Sequence, residues 1–255
     1  MPRFAANLTM MFNEWDFLDR FNAAADAGFD AVEFLFPYEH APDAIAERLQ
    51  RHRLTQALFN CPPGDWAKGE RGIASLKGRE DEFKASIDKA LIYAEATGVK
   101  RLHVMSGLSN RHDSDAQKTY RASITYACER AALKGLDIVI EPINGRDMPG
   151  YFLNNFDFAA GLITELALPN LKLQYDIYHR QILHGDVMKS LEQLMPMIGH
   201  IQIAAVPLRH EPTTGELDDV KVLHHLDHLN YSGFVGLEYR PRGKTIDGLT
   251  WLSKI

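Results

Sequence analysis

The chain has 255 residues, of which 45% are hydrophobic and 24% are charged, a composition typical of a globular protein. Its formal net charge of -6 argues against a nucleic-acid-binding protein, because such proteins usually present a basic face to phosphate groups. The sequence has no run of about 18 apolar residues, so it predicts no membrane span. The first residues lack the apolar segment of a signal peptide, and we therefore expect a cytoplasmic protein.

Apolar segments of strand length alternate along the chain with segments whose apolar residues recur at helical spacing. The clearest helix carries Phe83, Ile87, Ala90 and Ala94 on one face. In chain order the sequence predicts strand 4–8, helix 17–25, strand 31–36, helix 42–52, strand 54–60, helix 80–97, strand 101–105, helix 115–133, strand 137–141, helix 156–167, strand 171–176, helix 187–194, strand 200–205, helix 220–229, strand 234–239 and helix 246–252. Eight such alternations predict parallel strands, and eight is the number that closes a barrel.

The lengths of the connections also favour a barrel. Helices are joined to the next strand by short links, as at 28–30, whereas long connections such as 142–155 and 206–218 follow strands. In a (β/α)8 barrel the loops after the strands form the face that carries the active site. A doubly wound open sheet would usually have a glycine-rich phosphate turn after its first strand, and residues 7–11 are not one. We therefore predict an α/β fold in which residues 1–255 form a single (β/α)8 TIM barrel.

Polar residues interrupt the predicted strands five to eight at or near their ends. These residues are Glu141, Asp176, Gln202 and Glu238. Each alone could be a salt bridge or a loop anchor, but consecutive strand ends of a barrel converge on one site. Carboxylate and amide oxygens are the ligands that Mg²⁺ or Mn²⁺ prefers, and a cation would relieve the repulsion among three carboxylates. Two of the carboxylates could also serve as general acid and base.

Two further residues follow the same predicted strands. His179 lies three residues after Asp176 and is either a capping or surface histidine, or a substrate-binding residue that polarises a carbonyl or hydroxyl group. Arg209 lies in the loop after predicted strand seven and forms either a surface salt bridge or a bidentate contact with a substrate carboxylate. His103 and Asn7, on predicted strands four and one, are further candidates for the barrel mouth.

Around these residues the sequence resembles the hydroxypyruvate isomerase family along nearly the whole chain. The motifs that carry the resemblance are RFAANL at 3–8, VEFLFPY at 32–38, GDWAKGERG at 64–72, IEPIN at 140–144, QYDIYH at 174–179, HIQIA at 200–204 and EYRP at 238–241. The wider group is the xylose-isomerase-like barrels, which include sugar epimerases and an apurinic endonuclease branch.

This resemblance implies a metal site and a proton-transfer pair. Glu141, Asp176, Gln202 and Glu238 would be the ligands of a divalent cation, Mg²⁺ or Mn²⁺, and Glu141 and Glu238 would be the paired proton donor and acceptor. Related ketose epimerases carry histidine where this chain has Gln202, so we expect a different affinity for the cation.

The resemblance also implies a reaction, the interconversion of hydroxypyruvate and 2-hydroxy-3-oxopropanoate through an enediolate. The alternatives are isomerisation of a 2-oxo-tetronate, or isomerisation or epimerisation of a related sugar acid or ketose. A metal-dependent phosphodiesterase of the endonuclease branch is disfavoured by the net charge and by the oxygen-only ligand set. The expected partner is a small oxo acid, with no nucleic acid and no membrane, and a homo-oligomer is left open.

Overall fold

The computed structural model describes residues 2–255, and within them eight parallel strands close into a barrel in chain order. The strands are β1 Arg3–Asn7, β2 Ala31–Phe34, β3 Thr55–Asn60, β4 Arg101–His103, β5 Asp137–Ile140, β6 Leu171–Asp176, β7 Ile198–Ile203 and β8 Phe234–Leu237. The barrel closes where β1 pairs with β2 on one side and β8 on the other, so that Ala6 lies opposite both Val32 and Leu237. The predicted α/β barrel is confirmed.

Helices lie between the strands and cover the outside of the barrel. They are α1 Arg20–Asp26, α2 Pro42–His52, α3 Glu80–Thr97, α4 Ser114–Ala132, α5 Phe156–Leu166, α6 Ile177–Leu183, α7 Val187–Leu194, α8 Asp219–His228 and α9 Thr245–Gly248. The bounds of α2, α3 and α7 agree with the prediction. Gly98 ends α3 with a φ of 73°, a left-handed conformation that glycine adopts without steric cost. Among residues 2–255, no helix has the length and apolar character needed to span a bilayer.

Helix α6 is the one that the sequence prediction missed. It begins directly after β6, and Asp176 is both the last residue of that strand and the N-cap of the helix. The Asp176 Oδ1 atom accepts a hydrogen bond from the backbone N–H of Tyr178 at 2.8 Å, which satisfies one of the free donors of the first turn. His179 therefore lies in the first turn of α6, with its side chain buried.

Several strands are shorter than predicted at their carboxyl ends. Strand β5 ends at Ile140 and β8 ends at Leu237, so Glu141 and Glu238 are each the first residue beyond a strand. The pairing stops there because the chain leaves the barrel wall for the following loop. Both carboxylates are consequently presented at the C-terminal face, where the active sites of such barrels lie.

The interior of the barrel changes from apolar to polar along its axis. Ala5, Ala31 and Ala57 form a small buried cluster at the N-terminal end, against which Phe234 packs. Polar side chains follow farther along the same strands, and Glu33 is the first that is fully buried in β2. A polar interior is costly unless its groups are hydrogen-bonded, so the contacts of these side chains decide what the site can do.

Candidate active site

A cavity of about 230 Å³ opens at the C-terminal face of the barrel. Of the six main predicted site residues, four line it: Glu141, His179, Arg209 and Glu238; the further candidate His103 lines it as well. The other two, Asp176 and Gln202, are buried and lie opposite each other across β6 and β7. Pockets for drug-sized ligands usually span roughly 300–1,000 Å³, so this cavity suits a smaller molecule.

Arg209 lies among the carboxylates of this cavity. Its Nη2 atom donates to Glu238 Oε2 at 2.5 Å and lies 3.5 Å from Asp176 Oδ2. Its Nη1 atom lies 3.4 Å from Asp147 Oδ2, and its Nε atom donates to the Glu238 carbonyl at 3.3 Å. The side chain is therefore not on the surface, and each guanidinium nitrogen already has an oxygen partner.

Asn144 holds His179 in one tautomer. The Asn144 Oδ1 atom accepts hydrogen bonds from two backbone N–H groups of its own loop, at 2.9 and 3.0 Å, so its NH2 group faces His179 Nδ1 at 2.7 Å. Nδ1 is thus an acceptor, and the ring proton is on Nε2, which lies 3.5 Å from Asp176 Oδ2. Burial and the positive charge of Arg209 lower the pKa of His179 well below its ordinary value, so the ring is neutral.

A second cluster of polar side chains is centred on Glu33 in β2. Its buried carboxylate accepts hydrogen bonds from Asn7 Nδ2 at 3.0 Å, Gln202 Nε2 at 2.7 Å and His200 Nε2 at 2.6 Å. Gly236 in β8 leaves room for this group, since a Cβ atom there would lie 2.3 Å from Glu33 Oε2. Because Glu33 Oε1 accepts from both amide groups, the Gln202 amide is held with its NH2 group toward β2.

Burial raises the pKa of three carboxyl groups at the site. Burial, followed by repulsion from Glu238 and Asp176, raises the pKa of Glu141 well above its ordinary range. Burial also raises the pKa of Glu238 to about 8 and that of Asp176 to about 6, although the charge of Arg209 opposes both shifts. Without a cation, Glu141 and Glu238 thus each bind a proton more tightly than an exposed glutamate does, as a proton-transfer pair requires.

A buried triad at this site could hold a metal ion. Glu141, Asp176 and His179 each offer one ligand atom, and these atoms lie within 4.8 Å of one another. The Glu141 Oε1 atom is buried and has no hydrogen-bond partner in the described part of the chain, as expected of a ligand atom reserved for a cation. The two carboxylates therefore fit a divalent ion, whereas His179 could bind it through Nε2 only if the ring proton moved to Nδ1.

The two remaining predicted ligands, Glu238 and Gln202, already have hydrogen-bond partners within the protein. Glu238 is bonded to Arg209, and the Gln202 Oε1 atom accepts from Gln174 Nε2 at 2.6 Å. For either residue to reach a cation bound at the triad, these contacts would have to be exchanged. His179, which the sequence predicted as a substrate-binding residue, lines the cavity, and its Nε2 atom lies 3.5 Å from Asp176 Oδ2 and 3.9 Å from Glu141 Oε1.

Sequence reasoning assigned no role to three residues that shape this site. Glu33 carries the signal that identified Glu141, a carboxylate inside an apolar strand, and could have been found in the same way. Asn144 and Asp147 lie in the irregular connection 141–155, where no periodicity distinguishes one polar side chain from another.

Comparison with known proteins places the chain among enzymes with this fold. A 2-oxo-tetronate isomerase of Cupriavidus necator is 53% identical over 99% of this chain and 98% of its own length. The hydroxypyruvate isomerase of Escherichia coli K12 is 41% identical, with 99% and 98% covered. A crystal structure described as an AP endonuclease, family 2, from Brucella melitensis has a TM-score of 0.97 at 48% identity and covers 100% of this chain and 99% of its own. A family model described as xylose isomerase-like TIM barrel matches residues 21–255, and the chain belongs to that family.

Proposed function

We propose that this protein is an aldose–ketose type isomerase that interconverts hydroxypyruvate and 2-hydroxy-3-oxopropanoate. The observation that carries the proposal is the pair of buried carboxyl groups, Glu141 and Glu238, with raised pKa values in one small cavity. Two such groups can remove a proton from one carbon and return a proton to its neighbour. The hydroxypyruvate isomerase that is 41% identical to this chain supports the choice of reaction.

The reaction begins when one of the two glutamates accepts a proton from C3 of hydroxypyruvate, the carbon that bears the hydroxyl group. Negative charge spreads onto the C2 oxygen, and an enediolate forms. The other glutamate donates a proton to C2, while the hydroxyl proton passes from the C3 oxygen to the C2 oxygen. Hydroxyl and carbonyl have then exchanged places, and no redox cofactor is needed because the electrons stay in the substrate.

His179 is proposed to contact the substrate oxygens during this step, and Arg209 to act on them through its positive charge. The Nε2–H group of neutral His179 is a donor that can polarise the carbonyl without a prior change of protonation. The guanidinium of Arg209 carries a positive charge close to Glu238, and this charge can stabilise the negative charge that develops on the C2 oxygen. Both groups are buried, which strengthens their electrostatic effect.

We propose Glu141 and Asp176 as the primary ligands of a divalent cation, Mg²⁺ or Mn²⁺, with Glu238 and Gln202 completing the set that the family resemblance implies, while His179 keeps its Nε2 proton for the substrate. Such a cation would stabilise negative charge on the substrate oxygens. The resemblance and the unpartnered Glu141 Oε1 atom support this proposal.

A four-carbon substrate, a 2-oxo-tetronate, is the second candidate. Two relatives named as 2-oxo-tetronate isomerases are 53% and 44% identical to this chain, above the 41% of the E. coli hydroxypyruvate isomerase. Both reactions exchange a C2 carbonyl with a C3 hydroxyl beside a C1 carboxylate, so the same two glutamates can serve either. The cavity of about 230 Å³ has roughly the liquid volume of eight water molecules and can hold three or four carbons with their oxygens.

Proton NMR in D₂O tests the function and ranks the substrates. Hydroxypyruvate and a 2-oxo-tetronate are incubated separately with the protein, and the signals of C3–H and of the product are followed against enzyme-free samples. We expect loss of the C3–H signal, with product that carries deuterium at C2 unless the abstracted proton is returned directly. Rates no faster than the enzyme-free samples for both acids would overturn the proposed function.

A further inference from the structure

Two arginines at the cavity have no acidic partner. Arg71, from the loop after β3, and Arg240, three residues after β8, both line the cavity that holds Glu141 and Glu238. Within residues 2–255, neither guanidinium forms a salt bridge, whereas that of Arg209 contacts three carboxylates. The cavity thus contains one paired arginine and two arginines available to a ligand.

Arg71 is held in position without being neutralised. Its Nη1 atom donates to the carbonyl oxygens of Glu70 at 2.7 Å and Trp66 at 3.2 Å, and its guanidinium stacks 3.8 Å from the centre of the Trp66 ring. The loop is itself anchored, because the Glu70 carboxylate binds Arg79 Nη1 at 2.7 Å. These contacts leave Nε and Nη2 of Arg71 without a partner in the described chain. A guanidinium fixed in this way loses little conformational entropy when it binds an anion.

Arg240 is linked through the backbone to the loop of Arg209. Its N–H group donates to the Arg209 carbonyl at 2.7 Å, and the residue lines the same cavity as Glu141 and Glu238. Its side chain is exposed and makes no hydrogen bond within residues 2–255. It therefore brings a second unpaired positive charge to the mouth of the cavity.

We propose that Arg71 and Arg240 bind the C1 carboxylate of the substrate. This proposal deepens the proposed function, because both candidate substrates carry that carboxylate next to the reacting carbons. Arg209, which the sequence suggested for this role, would first have to give up its bond to Glu238, and a buried glutamate would lose its charged partner. Arginines that are still unpaired bind the carboxylate without that cost.

The arrangement also gives a basis for specificity. A carboxylate anchored at Arg71 and Arg240 fixes C2 and C3 relative to Glu141 and Glu238, whether the chain ends at C3 or continues to C4. A neutral ketone with the same reacting carbons lacks the anchor. The site should therefore select oxo acids over uncharged ketoses.

The test compares hydroxypyruvate with hydroxyacetone, in which a methyl group replaces the carboxylate. In Arg71→Gln and in Arg240→Gln we expect KM for hydroxypyruvate to rise roughly 10- to 100-fold, the loss typical of a charge-assisted hydrogen bond. We compare the rate of hydroxypyruvate isomerisation with the rate of C–H exchange at the hydroxymethyl carbon of hydroxyacetone. The ratio of these two rates should fall at least tenfold in each variant. Affinity for D-glycerate, a carboxylate that cannot be isomerised, should fall in parallel by calorimetry. Arg71→Lys should retain part of the affinity.

Arg146→Gln is the matched control, since Arg146 is an exposed arginine of the loop after β5 that does not line the cavity. It should leave KM and D-glycerate binding within about twofold of wild type if the effect is specific to the two proposed arginines. Unchanged KM and D-glycerate affinity in folded Arg71→Gln and Arg240→Gln would overturn the carboxylate site. The proposed function would survive that result if wild-type protein still isomerises an oxo acid. If the wild-type protein neither bound D-glycerate nor isomerised an oxo acid, both the carboxylate site and the proposed function would be refuted.

Discussion

Replacing Glu33 by glutamine tests the buried hydrogen-bond network behind the proposed catalytic residues. The carboxylate accepts hydrogen bonds from Asn7, Gln202 and His200. A glutamine keeps one acceptor oxygen, which can still serve Asn7 and Gln202, but it presents an NH2 group to His200 Nε2. Moving the histidine proton to Nδ1 does not help, because that atom is buried without a hydrogen-bond partner in the described chain. In either tautomer one buried donor is left unsatisfied.

An unsatisfied buried donor costs about 1–3 kcal/mol of unfolding free energy. For a chain of this size about 1 kcal/mol lowers Tm by roughly 2–4 °C, so we expect Glu33→Gln to lower Tm by roughly 2–12 °C in thermal denaturation followed by circular dichroism. Glu33→Leu would leave all three donors unsatisfied and should cost about 3–9 kcal/mol, a large part of the roughly 5–15 kcal/mol that stabilises a typical domain.

Gln56→Leu is the matched control for this prediction. Gln56 is also a buried polar residue of the barrel, but both polar atoms of its amide lack a partner within residues 2–255. Its replacement by an apolar side chain of similar size should be neutral or stabilising. If Glu33→Gln kept the wild-type Tm while Gln56→Leu lowered it, the hydrogen-bond reasoning would be refuted.

Three further predictions concern Arg209, the cation and a carboxylate outside the site. Arg209→Ala should lower kcat by roughly 10- to 100-fold because Glu238 loses its charged partner; a rise in KM alone would instead assign the substrate carboxylate to Arg209. Rigorous chelation should lower the isomerisation rate, and Mg²⁺ or Mn²⁺ should restore it, whereas full activity after metal removal would mean that the carboxylates act without a cation. Burial raises the pKa of Asp219 to about 6, above its unfolded value, so ionised Asp219 destabilises the fold at neutral pH. Asp219→Asn should be more stable than wild type by up to about 3 kcal/mol above pH 6, with a gap that closes as the pH falls toward 4; a gap independent of pH in chemical denaturation would contradict this.

The barrel could be predicted from the sequence because its signals are local and repeated. Helix α3 shows this well: its apolar stripe and the glycine at its end define both of its limits, and the structure has the same bounds, Glu80–Thr97. Helix α6 could not be found in that way. It follows β6 without a turn, and Asp176 serves the strand and the helix at once. A residue that belongs to two elements gives no boundary signal in a single sequence.

The site was predictable where its residues end strands, and less so where they act through other side chains. The rule that carboxylates at consecutive strand ends converge brought Glu141 and Glu238 to one cavity. The partner of Arg209 could not be inferred, because its contact with Glu238 depends on the path of the irregular loop after β7. The chemical roles of these residues stay predictions. They depend on distances between side chains in space, which cannot be calculated from the spacing of residues along the sequence.

The central claim is that Glu141 and Glu238 act as two separate proton-transfer groups. Glu141→Gln and Glu238→Gln keep the shape of each side chain and remove its titratable group. In D₂O, proton NMR with hydroxypyruvate should show product formation reduced roughly 10²- to 10⁴-fold in each variant. One variant, which still has the base, should continue to exchange the C3–H proton, and the other should not. Product formation at the wild-type rate in either folded variant, or the same exchange behaviour in both, would contradict the two-residue mechanism.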